Sequence, residues 1–173
     1  MKLRVRAEVL SFKDGKVLCH WNRGYATFPG GGVDPNESPV KAAKRECMEE
    51  ADRVLVNCVV AHEPTTQTWP AGYAKREKWA KGYEGGLTYW MTGTTSETPF
   101  HHLRDARHKD YEEFEWKPLE EVITRLKEEL KGDWHADVEV RLKLLETQVE
   151  MAKPIKAAWS TPMRLPELTP TVS

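Results

Sequence analysis

Glu46, Glu49 and Glu50 stand at i, i+3 and i+4 in the stretch ECMEE. On a helix that spacing puts all three carboxylates on one face, where like charges cost roughly a few tenths of a kcal/mol per pair. Lys44 and Arg45 are expected on adjoining sides, where they relieve little of the repulsion. A hard divalent cation such as Mg²⁺ would turn repulsion into coordination, because it takes oxygen ligands and shares them with substrate phosphates. Just upstream, Gly30-Gly31-Gly32 offers backbone without Cβ atoms, which can approach a phosphate closely or turn a carbonyl toward a cation. Taken singly, each feature has a plain alternative: a solvated acidic helix face and a flexible turn.

The elements that must position these groups are readable around them. Asp34-Pro35-Asn36 is a turn, and Ser38-Pro39 supplies a cap and a first-turn proline for a helix to about Ala51, with Val40, Ala43 and Cys47 on its buried edge. Before it, residues 3–12 alternate as a strand, Asp14-Gly15 is a hairpin turn, and Val17 to Trp21 is the return strand. After it, residues 53–62 (RVLVNCVVAH) read as a buried strand, Leu87 to Thr95 as another and Tyr111 to Trp116 as the last. Pro118 opens a helix with Leu119, Val122, Ile123, Leu126 and Leu130 on one stripe, closed by Gly132. A second amphipathic helix, Ala136 to Ala152, carries Val138, Leu142, Leu145 and Val149, and from about Lys153 a proline-rich stretch reads as a tail that is disordered or drapes over the surface.

The whole chain bounds what these elements can be. With 173 residues and a net charge of −1, it fits one globular domain and shows no global field that demands nucleic acid or a membrane. Cys19, Cys47 and Cys58 are widely spaced with no CxxC pair, which argues against a disulfide framework or thiolate zinc site. No signal peptide or membrane-length apolar run is read, so a cytoplasmic protein is expected.

Together the acidic helix and its glycine turn resemble the Nudix box, GX5EX7REUXEEXGU with U a bulky apolar residue. Gly31, Glu37, Arg45, Glu46, Glu49 and Glu50 fall in register over residues 31–53. At about 7% usage per position, six fixed matches arise by chance on the order of once in a hundred thousand sequences. Phe28-Pro29-Gly30-Gly31-Gly32-Val33 is similar to the family's strand and glycine turn, and Trp116-Lys117-Pro118-Leu119-Glu120-Glu121 to its last strand and following helix. Two positions depart: Asp52 stands for the late box glycine and Arg53 for the final apolar residue. A left-handed helix end costs residues other than glycine roughly 1–2 kcal/mol, with Asp among the better tolerated.

The resemblance, which covers roughly residues 3–131, implies an α+β fold, an α/β/α sandwich in which a mixed β-sheet is flanked by helices; the domain is read as residues 1–152, with an extra C-terminal helix and a tail at 153–173 that lie outside what the resemblance explains. It further implies a hydrolase of phosphoric anhydride bonds, using Mg²⁺ or Mn²⁺ to cleave a nucleoside diphosphate linked to another moiety by attack of water on phosphorus. The linked compound is left open among an NTP, a dNTP, a nucleotide sugar and a dinucleotide. On that reading Glu46, Glu49, Glu50 and the carbonyl of Gly30 or Gly31 hold metal, while Glu37 and Arg45 brace the box loop against the helix. One of the glutamates, or an acidic residue on a nearby loop, takes the water's proton. Glu112 and Glu113 stand near where some relatives place an extra catalytic carboxylate.

An aromatic and basic insertion, about residues 64–86, lies outside what the resemblance explains. Its Trp69, Tyr73, Trp79 and Tyr83 either pack beneath the loop or stack on a nucleobase. Trp69, Tyr73 and Arg76 are the substrate-binding candidates there, with Lys75, Lys78 and Lys81 near phosphates, and stacking is worth about 1–3 kcal/mol per base. His101, His102, His108, Asp105 and Asp110 fit no standard zinc spacing. Two other functions stay open: a Nudix-fold regulator that binds a nucleotide without turnover, and an RNA 5′-end hydrolase removing a cap or pyrophosphate. The expected partner is a small-molecule nucleotide, with nucleic acid admitted only as an RNA 5′ end, no membrane, and room for a homodimer, since Nudix proteins commonly dimerise.

Overall fold

The computed structural model describes residues 1–98, 114–132 and 135–160, apart from the side chains of 75, 76, 79, 135 and 154–160. Expectations for Glu112, Glu113, the His101/His102/His108 cluster and residues 161–173 lie outside the described residues, as do those for the side chains of Lys75, Arg76 and Trp79.

Strand β1, Leu3–Leu10, is the centre of the molecule. It runs parallel to β7 (Gly85–Thr95) and antiparallel to the short glycine strand β5 (Gly30–Gly32); β6 (Leu55–Thr68) closes the far side of β7. This mixed sheet, in the order β5-β1-β7-β6, has helix α1 (Pro39–Ala51) on one face. Ala7 and Val9 of β1 meet Ala42, Ala43 and Cys47 of α1 there. Arg4, Arg6 and Glu8, in the alternate register, go to the other face.

The expected strand 3–12 is in fact two. Ser11 leaves the sheet, its hydroxyl 3.0 Å from the Gly93 carbonyl and 3.0 Å from Thr95 Oγ1, and β2 (Phe12–Lys13) starts a second sheet. Asp14 (φ 48°) and Gly15 (φ 72°) make the two-residue turn into β3 (Lys16–Asn22), both in the left-handed region such a turn requires. β4 (Tyr25–Thr27) and β8 (Glu115–Pro118) pair antiparallel with β3 on its two sides. Helices α3 (Leu119–Glu129) and α4 (His135–Ser160) cover this sheet. Leu119, Val122, Ile123 and Leu126 of α3 and Val138 and Leu145 of α4 join Leu10, Val17, Phe28 and Trp90 in the larger core.

The sequence misplaces two features. Residues 53–62 are not a buried strand: β6 is the outer strand, with Val56, Val59 and Val60 46%, 56% and 62% exposed. It also runs six residues past His62, through Pro64, because Gln67 and Thr68 continue the ladder against Gly86 and Gly85. An edge strand with broken register has no inner-ladder donor for proline to remove. The insertion is therefore shorter than expected, holding only α2 (Tyr73–Arg76) and a 3₁₀ turn (Lys78–Ala80). Likewise α4 continues to Ser160 instead of stopping near 152, for Pro154 removes one helical hydrogen bond while Ala152, Lys153 and the Ala157-Ala158 pair favour helix.

Candidate active site

Helix α1 begins where Ser38 Oγ accepts from the Lys41 amide at 3.2 Å, with Pro39 in its first turn. It ends at Asp52, left-handed at φ 50°, ψ 42°, where the Arg53 amide returns to the Cys47 carbonyl at 3.1 Å. The late box glycine is thus replaced without loss of the turn. Arg53, at the apolar box position, is 3% exposed and is used as a cation. Its guanidinium donates to the carbonyls of Ser96, Glu97 and Phe114 and lies 6.0 Å from the Trp116 ring, tying the helix end to the ends of β7 and β8.

The glycine strand fits under this helix because it lacks side chains. A Cβ on Gly30 would lie 2.5 Å from the Ala7 carbonyl oxygen, and one on Gly31 would overlap the Glu46 carboxylate. Glu50 Oε2 accepts from the Gly30 amide at 3.1 Å. Burial pushes the Glu50 carboxyl up to about 7 and raises that of Glu46 as well, although the Arg45 hydrogen bond opposes the latter.

Arg45 does not point aside, as expected from sequence; it reaches across the acidic face. Its Nε and Nη2 donate to the two Glu37 oxygens, each at 2.9 Å, and Nη2 also donates to the Gly32 carbonyl at 2.8 Å. Nη1 holds Glu46 at 2.9 Å and Glu49 at 3.1 Å. Hydrogen bonds from Arg45 and the Asp34 amide lower the Glu37 carboxyl to about 2. Glu37, Arg45, Glu46, Glu49, Glu50, Gly30 and Gly31 are thus drawn together at one place.

That place borders a cleft of about 620 Å³. Glu46, Glu50 and Gly30 to Gly32 line it together with Arg4, Arg6 and Glu8 of β1, which pairs with the glycine strand; His20, Asn22, Thr27, Phe28, Phe114 and Arg141 complete it. Burial and the neighbouring Arg6 lower the Arg4 guanidinium, while the nearby Glu46 carboxylate opposes both. Sequence reasoning singled out none of these β1 residues, though the charged-apolar alternation of RVRAEVL carried a signal for Arg4, Arg6 and Glu8. Nothing local marked Arg141.

Trp69 and Tyr73 are not among the cleft's lining residues. Trp69 is 9% exposed, stacked at a tilt 5.4 Å from Tyr73 and laid over Gly86. The packing alternative for Trp69 follows from the Glu84–Trp69 backbone bond, which folds the insertion back on the sheet end.

A mixed sheet with a glycine strand tucked under an acidic helix defines the class, and the family follows from the chain itself. Residues 2–138 match the NUDIX domain, so the chain belongs to the Nudix family. It is 33% identical over 103 residues to an RNA pyrophosphohydrolase from Bradyrhizobium sp. (strain ORS 278), a stretch that takes in 56% of this chain and 61% of that protein. The chain thus spans about three-fifths of the length of that curated relative. Among solved structures, a NUDIX hydrolase from Nitrosomonas europaea aligns with a TM-score of 0.53 at 18% identity over 78% of this chain and 93% of its own. The E. coli dihydroneopterin triphosphate pyrophosphohydrolase aligns with a TM-score of 0.52 at 17% identity, over 72% and 88% respectively. At such identities these two bear on the fold alone, which is α+β as expected.

Nudix hydrolases generally use a divalent metal. Among the described residues no three His, Cys, Asp or Glu side chains gather about a point that could hold an ion. Each box carboxylate is turned to a protein donor: Glu46 and Glu49 to Arg45, Glu50 to the Gly30 amide. The donor set nevertheless fits a hard cation, since it is all oxygen, and Gly31 leaves the Glu46 carboxylate the space a Cβ would fill. No described helix is long and apolar enough to cross a membrane.

Proposed function

We propose that this protein is a Mg²⁺- or Mn²⁺-dependent pyrophosphohydrolase that cleaves a nucleoside diphosphate linked to another moiety by attack of water on phosphorus. The observation that carries this reading is the company the box carboxylates keep: Glu46 and Glu50 share a cleft with Arg4 and Arg6, which stand two residues apart on β1. Two residues of strand span about 7 Å, a length suited to gripping a polyphosphate chain, and guanidinium forks match phosphate oxygens.

Glu46, Glu49, Glu50 and the Gly31 carbonyl would hold the metal, which when bound polarises phosphoryl oxygens and lowers the pKa of water. Arg45, braced by Glu37 and Gly32, fixes where these carboxylates can turn. Burial raises the Glu50 carboxyl to about 7 in the metal-free chain, and a divalent cation beside it would favour its charged, ligating form. Arg4 and Arg6 orient the phosphates, and Phe28 with the His20–Phe114 ring pair, 5.5 Å apart, lends the cleft flat surfaces for a base.

A second reading, an RNA 5′-end pyrophosphohydrolase, draws support from the relative named RNA pyrophosphohydrolase. Purified protein incubated with Mg²⁺ and a panel of NTPs, dNTPs, nucleotide sugars, dinucleotides and 5′-triphosphorylated RNA, with product identification, tests both. Release of no product from any member would leave a binding protein in place of an enzyme. Turnover of RNA alone, weakening steeply with salt, would select the second reading.

A further inference from the structure

Two arginines besides Arg45 are drawn into the protein, and they are used differently. Arg141 closes on one carboxylate: its Nε donates to Glu8 Oε2 at 2.9 Å and its Nη2 to Glu8 Oε1 at 2.8 Å. Arg53, 3% exposed, gives its N–H groups to main-chain carbonyls. Its Nη1 donates to Ser96 O at 3.0 Å and to Glu97 O, and its Nη2 to Phe114 O at 3.4 Å. The Glu97 carbonyl also accepts from Trp116 Nε1 at 2.9 Å, and the amide of Val54, next in the chain, donates to Ser96 Oγ at 3.2 Å. Ser96 and Glu97 lie just past the end of β7 and Phe114 just before β8, so one side chain at the end of α1 fixes the spacing of two strand ends.

Stability alone does not account for a cation there. Arg53 Nε is buried with no hydrogen-bond partner among the described residues, and Asp52, the charge that offsets part of the desolvation, is itself buried. A buried guanidinium left partly unsatisfied stabilises poorly, and apolar residues commonly serve as well or better. What it holds gives it another use. Phe114 lines the cleft, and its ring lies 5.5 Å from that of His20, which lines it too. The β3–β8 ladder ends at Cys19 and Glu115, one residue short of this ring pair. The place of Phe114 therefore follows from contacts outside the sheet: Arg53 on its carbonyl, and Leu18 and Ala51 in the small core that it shares.

We infer that Arg53 is a positioning residue for the aromatic wall of the cleft: by holding the carbonyls of Ser96, Glu97 and Phe114 it sets where Phe114 backs His20, and so how firmly a nucleobase is stacked. Stacking accepts the flat face of every base, so the wall favours nucleotides over base-free polyphosphates without choosing among bases. The inference rests on the reading of the cleft as a nucleotide site, and it joins the last residue of the box to base binding instead of metal binding.

Calorimetric titration of the full-length protein, with Ca²⁺ in place of Mg²⁺, compares ADP, GDP, CDP and UDP with pyrophosphate, which has the phosphates and no base. The parent protein is expected to bind the tightest of the four about tenfold or more tightly than pyrophosphate. R53L, with an apolar side chain in the same space, should weaken that nucleotide about fivefold to tenfold and leave pyrophosphate within about twofold. R53K keeps a cation but not the fork that reaches three carbonyls, and should fall between. R53L/F114A should bind the nucleotide no more weakly than F114A alone, because Arg53 acts through Phe114.

Pyrophosphate bound by the parent as tightly as the nucleotides overturns the inference whether or not any variant folds, since no base subsite would exist to position. Equal losses of nucleotide and pyrophosphate in R53L, or no loss of either, overturn it as well, and so do additive losses from R53L and F114A. Binding of neither pyrophosphate nor any nucleotide brings down the cleft reading beneath it too. Base-dependent binding that R53L weakens, with no turnover of any compound in the substrate panel, sinks the enzyme and keeps the positioning role.

Discussion

Arg45 bonds three glutamates, with Glu50 close behind, while Arg141 bonds Glu8 alone. Arg141 lines the cleft and Arg45 stands behind the Glu46 that lines it, and the different proportions give the two clusters different chemistry. At the first the carboxylates outnumber the guanidinium that organises them, so negative charge is left over to attract cations. At the second the guanidinium is hydrogen-bonded to one carboxylate, and Asp137 and Glu129 also help keep it charged. An excess of charge near water suits a site that recruits a metal; a buried pair closed on itself by two hydrogen bonds suits a fixed wall.

The largest expected effect breaks this comparison at its acidic end. E49Q/E50Q should lower kcat by about a thousandfold or more in steady-state assays with Mg²⁺, since each group stabilises charge developing in the transition state. E8Q/R141Q should lower it less than tenfold on the best substrate. Equal losses would mean that the two ends are not functionally distinct.

Stability should rank the ends the other way. R141M leaves the Glu8 carboxylate buried without its partner and should cost about 3–5 kcal/mol by denaturant unfolding. R45M, at a side chain 27% exposed and near water, should cost about 1–3 kcal/mol.

Acid and alkali then separate two of the box glutamates. Glu50 titrates near 7 in the folded chain against 4.5 ordinarily, so the folded state holds the extra proton between those values. Its contribution is present below pH 4.5 and is lost as pH rises toward 7, so metal-free protein should lose melting temperature over that window and E50Q should lose less. Glu37 is displaced the other way, to about 2, so its contribution is present above 4.5 and is lost as pH falls toward 2. E37Q should flatten that acid limb and leave the neutral one alone. The smallest effect belongs to Asp52→Gly, which restores the box residue at φ 50° and should change stability by no more than about 1 kcal/mol with kcat unaltered.

Several parts of the site were legible because their causes are local. The i, i+3, i+4 glutamates, the Ser38 cap and the Asp14-Gly15 turn each depend on a few consecutive residues and fixed backbone geometry. The charged alternation of β1 was visible too, but not what it faced. β6 was misread because its valines give the pattern of a buried strand, and a periodicity says nothing about whether a further strand lies beyond. The aromatic insertion suggested a base platform, yet the ladder between Thr68 and Gly85 folds Trp69 onto the sheet and away from the cleft lining.

The amino-acid order alone determined that a Nudix box is present, which residues compose it, and that they share a helix and the turn before it. Tertiary structure decided where Arg45 turns, that Arg53 serves as a buried tie between strand ends, and that Glu8 meets Arg141. Helical and strand repeats are set within a turn or two of chain, so they can be read from spacing. The approach of α4 to β1 depends on how two cores pack across more than a hundred intervening residues, and no repeat in the sequence encodes it.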